Sequence, residues 1–319
     1  MGGGRYGCGG MLGVVLNPNA LGVRRDPALG ERLRAVLGSG GEVVATRTPA
    51  ELRTTVERFA DRGVDPVCIC GGDGTNLSTI SQLIERLGEA RLPRFAILRG
   101  GTVNTVAENL GIRGRPEEIL GRLVARLRAG RPLAEIGQDL LSANGMYGFL
   151  FAAAMGARFL EAYYGAPVQG AAAASVLAAR TAASSLVQGR YARWLFDPVP
   201  MELSADGEAL PLDRARLLLA STVPDVGIGM RVTWQAGREP GRFHFVASGL
   251  STTSMALQLP RVLGGRPLQG QPHVDRLARQ VDLRFARAES WTLDGDLFRG
   301  EEVKLRIGPR IRIVLPSSP

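Results

Sequence analysis

Up to about residue 135, short apolar runs alternate with stretches whose apolar positions recur every three or four residues, the rhythm of a parallel α/β sheet. Met11 to Leu16 reads as a first strand. Asp26-Pro27 then opens a helix on a Leu29, Leu33, Val36, Leu37 face, with Asp as cap and Pro in the first turn. Glu42 to Ala45 reads as a second strand, and Thr48-Pro49 caps a helix that runs to about Arg62 through Leu52, Val56 and Phe59. Pro66 to Cys70 is the third strand; it ends in Gly71-Gly72-Asp73-Gly74-Thr75 and is followed by a helix on Leu77, Ile80, Leu83, Ile84 and Leu87. Phe95 to Leu98 is the fourth, ending in Gly100-Gly101-Thr102-Val103-Asn104 before another helix, and Pro116 opens one more to about Arg128.

From about Arg131 the pattern becomes one of short runs separated by turns, which predicts an antiparallel β domain. The strands expected are Arg190 to Phe196, Pro200 to Ser204, Arg214 to Thr222, Met230 to Gln235, Arg242 to Ser248, Gln280 to Phe285, Trp291 to Asp294, Glu302 to Ile307 and Ile311 to Leu315. The Ala-rich stretch Gly170 to Gln188 and the segment Thr252 to Leu263 read as helices. The division that follows is a nucleotide-binding α/β domain over 11–132, with 308–319 as its completing piece, and a β-rich domain over 133–307.

Composition narrows the function classes. A chain of 319 residues with 45% hydrophobic and 22% charged residues is globular. The longest apolar stretch, Met146 to Ala157, is broken by Arg158 and Glu161, too soon to span a bilayer. The run Met11 to Leu16 is too short for a signal-peptide core and leads into Asn17-Pro18-Asn19, so the chain is expected to be cytoplasmic. Cys8, Cys68 and Cys70 supply neither a disulfide framework nor a zinc set and read as buried structural thiols. The net charge is +9, and Lys304 is the only lysine, a skew towards arginine that follows in part from GC-rich coding. The basic balance suits phosphorylated substrates or an anionic membrane surface. Nucleic acid is disfavoured, because aromatics make up only 6% and the arginines lie among Asp and Glu in helical patterns.

The chemistry concentrates in the two glycine loops. Gly71-Gly72-Asp73-Gly74-Thr75 follows a parallel strand and opens a helix, where open α/β sheets bind ligands and backbone amides close on phosphate. Asp73 adds a carboxylate able to hold Mg²⁺ against a triphosphate.

This motif after a strand resembles the diacylglycerol kinase catalytic-domain family, which includes bacterial lipid kinases and sphingosine and ceramide kinases. Other landmarks fall in the same order: Leu16-Asn17-Pro18-Asn19-Ala20 as the strand-one turn, and Gly101-Thr102-Val103-Asn104 with Ala107, Leu110 and Gly111 as the second loop. Gly227-Ile228-Gly229-Met230 resembles the family's β-domain turn, and Trp291-Thr292-Leu293-Asp294-Gly295-Asp296 falls where the family has Asp-Gly-Glu. The resemblance implies a Rossmann-like N-terminal domain, similar to those of NAD kinases and diacylglycerol kinases, with a C-terminal antiparallel β-sandwich and an active site in the cleft between them.

It also implies an ATP-dependent lipid kinase using Mg²⁺, which transfers the γ-phosphate to the hydroxyl of a lipid such as diacylglycerol or a sphingoid base. Gly71, Gly72, Gly74 and Gly101, with the hydroxyls of Thr75 and Thr102, are expected to cradle the phosphates, and Asn17 and Asn104 to contact the nucleotide. Asp73 is assigned to the metal and Asp294 to the general base. Asp296 replaces the family's Glu beside the nucleotide, Arg99 replaces a Pro, and Pro240-Gly241-Arg242-Phe243-His244 lacks the two acids that hold a structural Mg²⁺ in some members. His244 and His273 lie in no motif and read as satisfied core or surface residues. Phe149, Leu150, Phe151, Met155, Phe159, Tyr163 and Tyr164 are candidates to line an acyl groove. The expected partners are a lipid alcohol, the inner membrane face and a second subunit, without nucleic acid. An NAD kinase-like small-molecule kinase and a non-catalytic lipid- or nucleotide-binding homologue remain as alternatives.

Overall fold

The computed structural model describes residues 11–102, 104–165 and 189–316, with positions 176, 177, 180, 181 and 184 between. The chain divides into two compact units: one takes in residues up to Gln138 and those from Arg310 onward, the other Asp139 to Pro309.

The first unit is built on a parallel sheet of β1 (Leu12–Leu16), β2 (Gly41–Ala45), β3 (Val67–Cys70) and β4 (Phe95–Ile97). Its order is β4-β3-β1-β2, and the chain's last strand, Asp296–Leu315, adds beside β4 through Ile313 opposite Phe95, also parallel. Strands β1 and β3 are buried at every residue, as a parallel sheet covered on both faces requires. The connecting helices are α1 (Leu21–Arg24), α2 (Leu29–Leu37), α3 (Pro49–Asp61), α4 (Asp73–Leu87), α5 (Thr105–Asn109) and α6 (Pro116–Arg128). Helix α3 starts where its sequence dictates: Thr48 Oγ1 accepts from Glu51 N at 3.1 Å, Pro49 follows, and Leu52, Val56 and Phe59 are buried. Helix α2 does not. Ala28 stands at its cap, and the Asp26 carboxylate expected there is taken by the Arg32 guanidinium instead.

The second unit is antiparallel. Strand β5 (Ala134–Ala143) carries the chain into it, followed by β6 (Met146–Gly148), β7 (Leu150–Ala154), α7 (Met155–Tyr164), α8 (Arg190–Leu195), β8 (Val199–Ala205), β9 (Glu208–Ala209) and β10 (Arg214–Ala215). Then come β11 (Leu217–Ser221), β12 (Phe243–Ser248), α9 (Thr252–Leu257), α10 (Leu259–Leu263), β13 (His273–Ala278), β14 (Gln280–Leu293) and β15 (Asp296–Leu315). The main path runs β13-β12-β11-β7-β14-β15. Strand β14 pairs with β8 over Val281–Phe285, shifts register before Glu289, and then pairs with β7 over Trp291–Leu293. Phe151, Phe243 and Phe245 are fully buried in this unit.

The mixed architecture of a parallel α/β unit and an antiparallel unit agrees with the sequence, while several elements differ. Arg190 to Phe196, expected as a strand, is helix α8, because its buried residues Ala192, Leu195 and Phe196 follow the helical spacing. Met230 to Gln235 forms turns. Its buried Thr233 hydroxyl donates to Val223 O at 3.0 Å, a local bond that replaces a strand partner. Glu302 to Ile307 and Ile311 to Leu315 are one strand, as are Gln280 to Phe285 and Trp291 to Leu293. The Gly170 to Gln188 segment lies mostly outside the described residues. No helix among the described residues is long and apolar enough to cross a membrane.

Candidate active site

Both glycine loops leave the carboxyl ends of neighbouring parallel strands, β3 and β4, and they meet backbone to backbone. A Cβ on Gly101 would stand 2.6 Å from Gly72 Cα, and one on Gly100 would stand 2.7 Å from Gly71 N. Glycine is required here for loop to pack on loop, before any ligand enters. Helix α4 begins at Asp73, with Thr75 N and Asn76 N both donating to Gly72 O at 3.0 and 3.1 Å. The amides of Asp73 and Gly74 precede these bonds at the helix end, which carries partial positive charge and suits an anionic oxygen.

The polar side chains around the loops are largely spent on holding them. Asn17 Nδ2 donates to Thr75 Oγ1 at 2.8 Å, Asn17 Oδ1 accepts from Asn19 N at 2.9 Å, and Asn17 N donates to Cys70 O at 2.9 Å, so the strand-one turn is fastened to the first loop. Asn104, at φ 53° and buried, exchanges two bonds with Gly101: Gly101 N to Oδ1 at 3.0 Å and Nδ2 to Gly101 O at 2.9 Å. The Gly101 amide, expected on a phosphate, is therefore already donated within its own loop. Thr102 is half-buried beside it, and Val103 lies outside the described residues. Arg99, which stands in place of the family's Pro, donates to Ile112 O at 2.7 Å and pairs with Glu108.

Asp73 is the link that sequence reasoning missed. Its Oδ2 accepts from Thr105 N at 2.9 Å and its Oδ1 from Val106 N at 3.4 Å, so a carboxylate on the first loop caps the helix leaving the second. Burial pushes its carboxyl above the ordinary value, opposed by those two amides. The only sequence hint was the position of α5, directly after the second glycine loop.

The loops fit a nucleotide phosphate through the amides of Asp73 and Gly74 at the positive end of α4, beside a Gly72 that leaves the backbone bare. For Mg²⁺ the donor set is Asp73 alone, because the described residues contain no cluster of three or more His, Cys, Asp or Glu side chains able to hold a metal. One carboxylate plus phosphate oxygens is the usual way in which Mg²⁺ accompanies a nucleotide.

In the second unit, Asp294 and Gly295 form the two-residue turn between β14 and β15, both at positive φ (48° and 97°), with Leu293 facing Asp296. This is the geometry that Asp-Gly favours in hairpins. A general base at Asp294 would have its side chain open to an acceptor. Instead its carboxylate reaches back to the start of β7, Oδ1 accepting from Leu150 N at 2.8 Å and Oδ2 from Phe149 N at 3.0 Å, because those amides at the strand's start face the turn. Asp296 is exposed, with partial desolvation raising its carboxyl, while burial and then the Asp296 charge raise the neighbouring Tyr164 phenol, whose hydroxyl donates to Gly295 O at 2.9 Å. Of the residues considered for an acyl groove, Phe149, Phe151 and Tyr163 are buried, while Leu150, Met155 and Phe159 pack partly buried on core clusters. His244 is a satisfied core residue: fully buried, its Nε2 lies 2.7 Å from Asp275 Oδ1 and its Nδ1 accepts from Gln235 N at 3.3 Å. The Gly241 amide beside it donates to Asp139 Oδ2 at 2.8 Å.

The first unit, with paired glycine loops at the carboxyl edge of a parallel sheet, has the form of a nucleotide-binding α/β domain. Residues 11–132 match the family model of the diacylglycerol kinase catalytic domain, the family that the motifs resemble. No curated protein matches the chain. Among solved structures, a diacylglycerol kinase from Bacillus anthracis str. Sterne is similar at 14% identity, with 96% of each chain covered and a TM-score of 0.64. Two further structures from the same strain, named for the same activity, are similar at 14% and 15% identity with TM-scores of 0.68 and 0.67, covering 96% of this chain and 96% and 97% of theirs. At such identities the likeness is one of fold, and it extends over both units.

Proposed function

We propose that the protein is an ATP-dependent lipid kinase. The observation that carries this reading is the pair of interlocked glycine loops, in a stretch that matches the diacylglycerol kinase catalytic domain. Bound there, ATP with its Mg²⁺ would supply the transferable phosphoryl group. The chain's own part is positional: the Asp73 and Gly74 amides at the start of α4 hold phosphate oxygens, Thr75 and Thr102 add hydroxyls, and Asn17 and Asn104 keep the loops in register. Asp73 serves the metal while fixing α5. On the motif match we assign Asp294 to receive the acceptor's hydroxyl proton, with the Phe149 and Leu150 amides orienting the carboxylate. Asp296 is assigned to the nucleotide side of the site, and the acceptor is a diacylglycerol or a sphingoid base.

The test is ATP turnover by the purified chain with diacylglycerol, sphingosine and ceramide in mixed micelles, against NAD⁺ and a no-acceptor control. Phosphorylation of one lipid alone supports the reading. Phosphorylation of NAD⁺, or ATP binding without turnover on any acceptor, overturns it.

A further inference from the structure

We infer that the face of the second unit formed by α8, α9 and α10 docks on an anionic phospholipid bilayer. The inference rests on the lipid-acceptor reading only for why an enzyme of this kind would need a membrane. The surface itself comes from three observations.

The first is charge. No Asp or Glu occurs from 162 to 196 or from 240 to 274, where the chain's average of 30 acids in 319 residues would put about three in each stretch. Each stretch carries arginine instead: Arg180, Arg190 and Arg193 in one, Arg242, Arg261 and Arg266 in the other. The fold brings the two together, since Met255 of α9 packs on the cluster of Ala192, Leu195 and Phe196. Among the described residues Arg190, Arg193, Arg261 and Arg266 form no ion pair, whereas Arg158, Arg284, Arg287 and Arg306 of the same unit are paired with carboxylates.

The second is exposed apolar surface. Trp194 is 43% exposed, Leu257 68% and Leu263 49%, three of the few large apolar side chains left in water and all on these helices. A tryptophan and leucines interspersed with arginine is the composition of a surface that sits at the headgroup boundary.

The third is a cavity of about 210 Å³ between α8 and the start of α9, lined by Ala192, Arg193, Arg216, Ser251, Thr252 and Thr253. Two guanidinium-bearing residues and three hydroxyls, with no carboxylate in the lining, match a phosphodiester group. Arg216 is held beside the cavity by its Nη1 donating to Gly249 O at 2.8 Å. The single occupant that satisfies charge, apolar anchors and phosphate seat together is an anionic bilayer.

The experiment is flotation of the full chain with phosphatidylcholine vesicles, with and without phosphatidylglycerol, in the absence of ATP and acceptor lipid. Binding is expected only to the anionic vesicles, with loss in high salt. Leu257→Asp with Leu263→Asp, and separately Arg193→Glu with Arg261→Glu, should each weaken it by tenfold or more, at about a factor of five per arginine. Brominated lipid should quench tryptophan emission in the native chain and not in Trp194→Phe. Glycerol 3-phosphate at millimolar concentration separates the sources: displacement of the chain from vesicles would show a soluble phosphate site and not a membrane seat. Absence of flotation, equal binding to neutral vesicles, or binding unchanged in both double variants overturns the inference. Because no turnover is involved, that failure is distinct from failure of the kinase reading, which the micellar assay decides.

Discussion

Two facing glycines, Gly72 and Gly101, differ in what an added methyl would meet and give the sharpest test of the phosphate cradle. An alanine methyl at Gly101 would stand 2.6 Å from Gly72 Cα and 3.0 Å from Asn104 Oδ1, so backbone must move. The cost of such overpacking is about 1–3 kcal/mol. In a unit of this size that lowers Tm by about 2–12 °C. At Gly72 the same methyl meets nothing nearer than Gly101 Cα at 3.7 Å, and its backbone (φ −88°, ψ −175°) suits any residue. The loss of a glycine cap, up to about 1 kcal/mol, is offset by about 0.4–1 kcal/mol from a stiffer unfolded chain, so Tm should hold within about 2 °C. Only a ligand would object to Gly72→Ala, by having its phosphate oxygens pushed off the backbone. Scanning fluorimetry and calorimetric titration with a non-hydrolysable ATP analogue and Mg²⁺ separate the two. Gly101→Ala should melt early, while Gly72→Ala should melt normally and bind at least tenfold more weakly, about 1.4 kcal/mol. A Gly72→Ala protein with native affinity would show that no phosphate approaches that backbone, and a Gly101→Ala protein with native Tm would refute the packed loops.

The remaining expectations concern single side chains. Asp294→Asn should cost about 10²–10⁴-fold in turnover with ATP affinity retained, and about 1–3 kcal/mol in stability as its amide group faces the backbone donors of Phe149 and Leu150; a lowered Tm with unchanged turnover per folded molecule removes it as the base. Asp73→Asn keeps one oxygen for Thr105 N and should abolish turnover in a folded chain; near-normal turnover with the same Mg²⁺ dependence takes it out of the metal site. Asp275 is held below the ordinary carboxyl value because, although burial raises it, hydrogen bonds from His244 and Trp234 and the nearby His273 prevail. A lowered folded value contributes stability that is present above pH about 4 and lost on acidification, so Asp275→Asn should flatten the fall of Tm between about pH 5 and 2; parallel curves would refute it. Burial pushes the Cys68 and Cys70 thiols up to about 12, so a thiol titration at pH 8 should gain two groups when denaturant is added, and no gain would refute their burial.

The parallel unit was legible in the sequence because each strand there is buried on both faces and each turn carries its own chemistry: Thr48-Pro49 and Pro116 mark helix starts that the structure keeps. The antiparallel unit was harder. A six-residue helix such as Arg190–Leu195 offers too few turns for its period to be told from alternation, and β14 is long only because a bulge lets one strand serve two partners. The glycine loops were visible as motifs, but their mutual packing and the reach of Asp73 to Thr105 and Asp294 to Leu150 are contacts across 32 and 144 positions that no local pattern encodes.

Strand β15 gives the first unit its last member, since Ile313 lies beside Phe95 while residues from Arg310 onward close that unit. The sheet that carries the glycine loops is thus finished by a segment synthesised long after β4. At about 5–20 residues per second, the outer edge of β4 waits on the order of 10–40 s for its neighbour. An unpaired parallel edge is adhesive over that time. The order of synthesis, and not only the stability of the finished chain, therefore bears on how long that edge stays exposed, and the stretch 11–132 made by itself would keep it open.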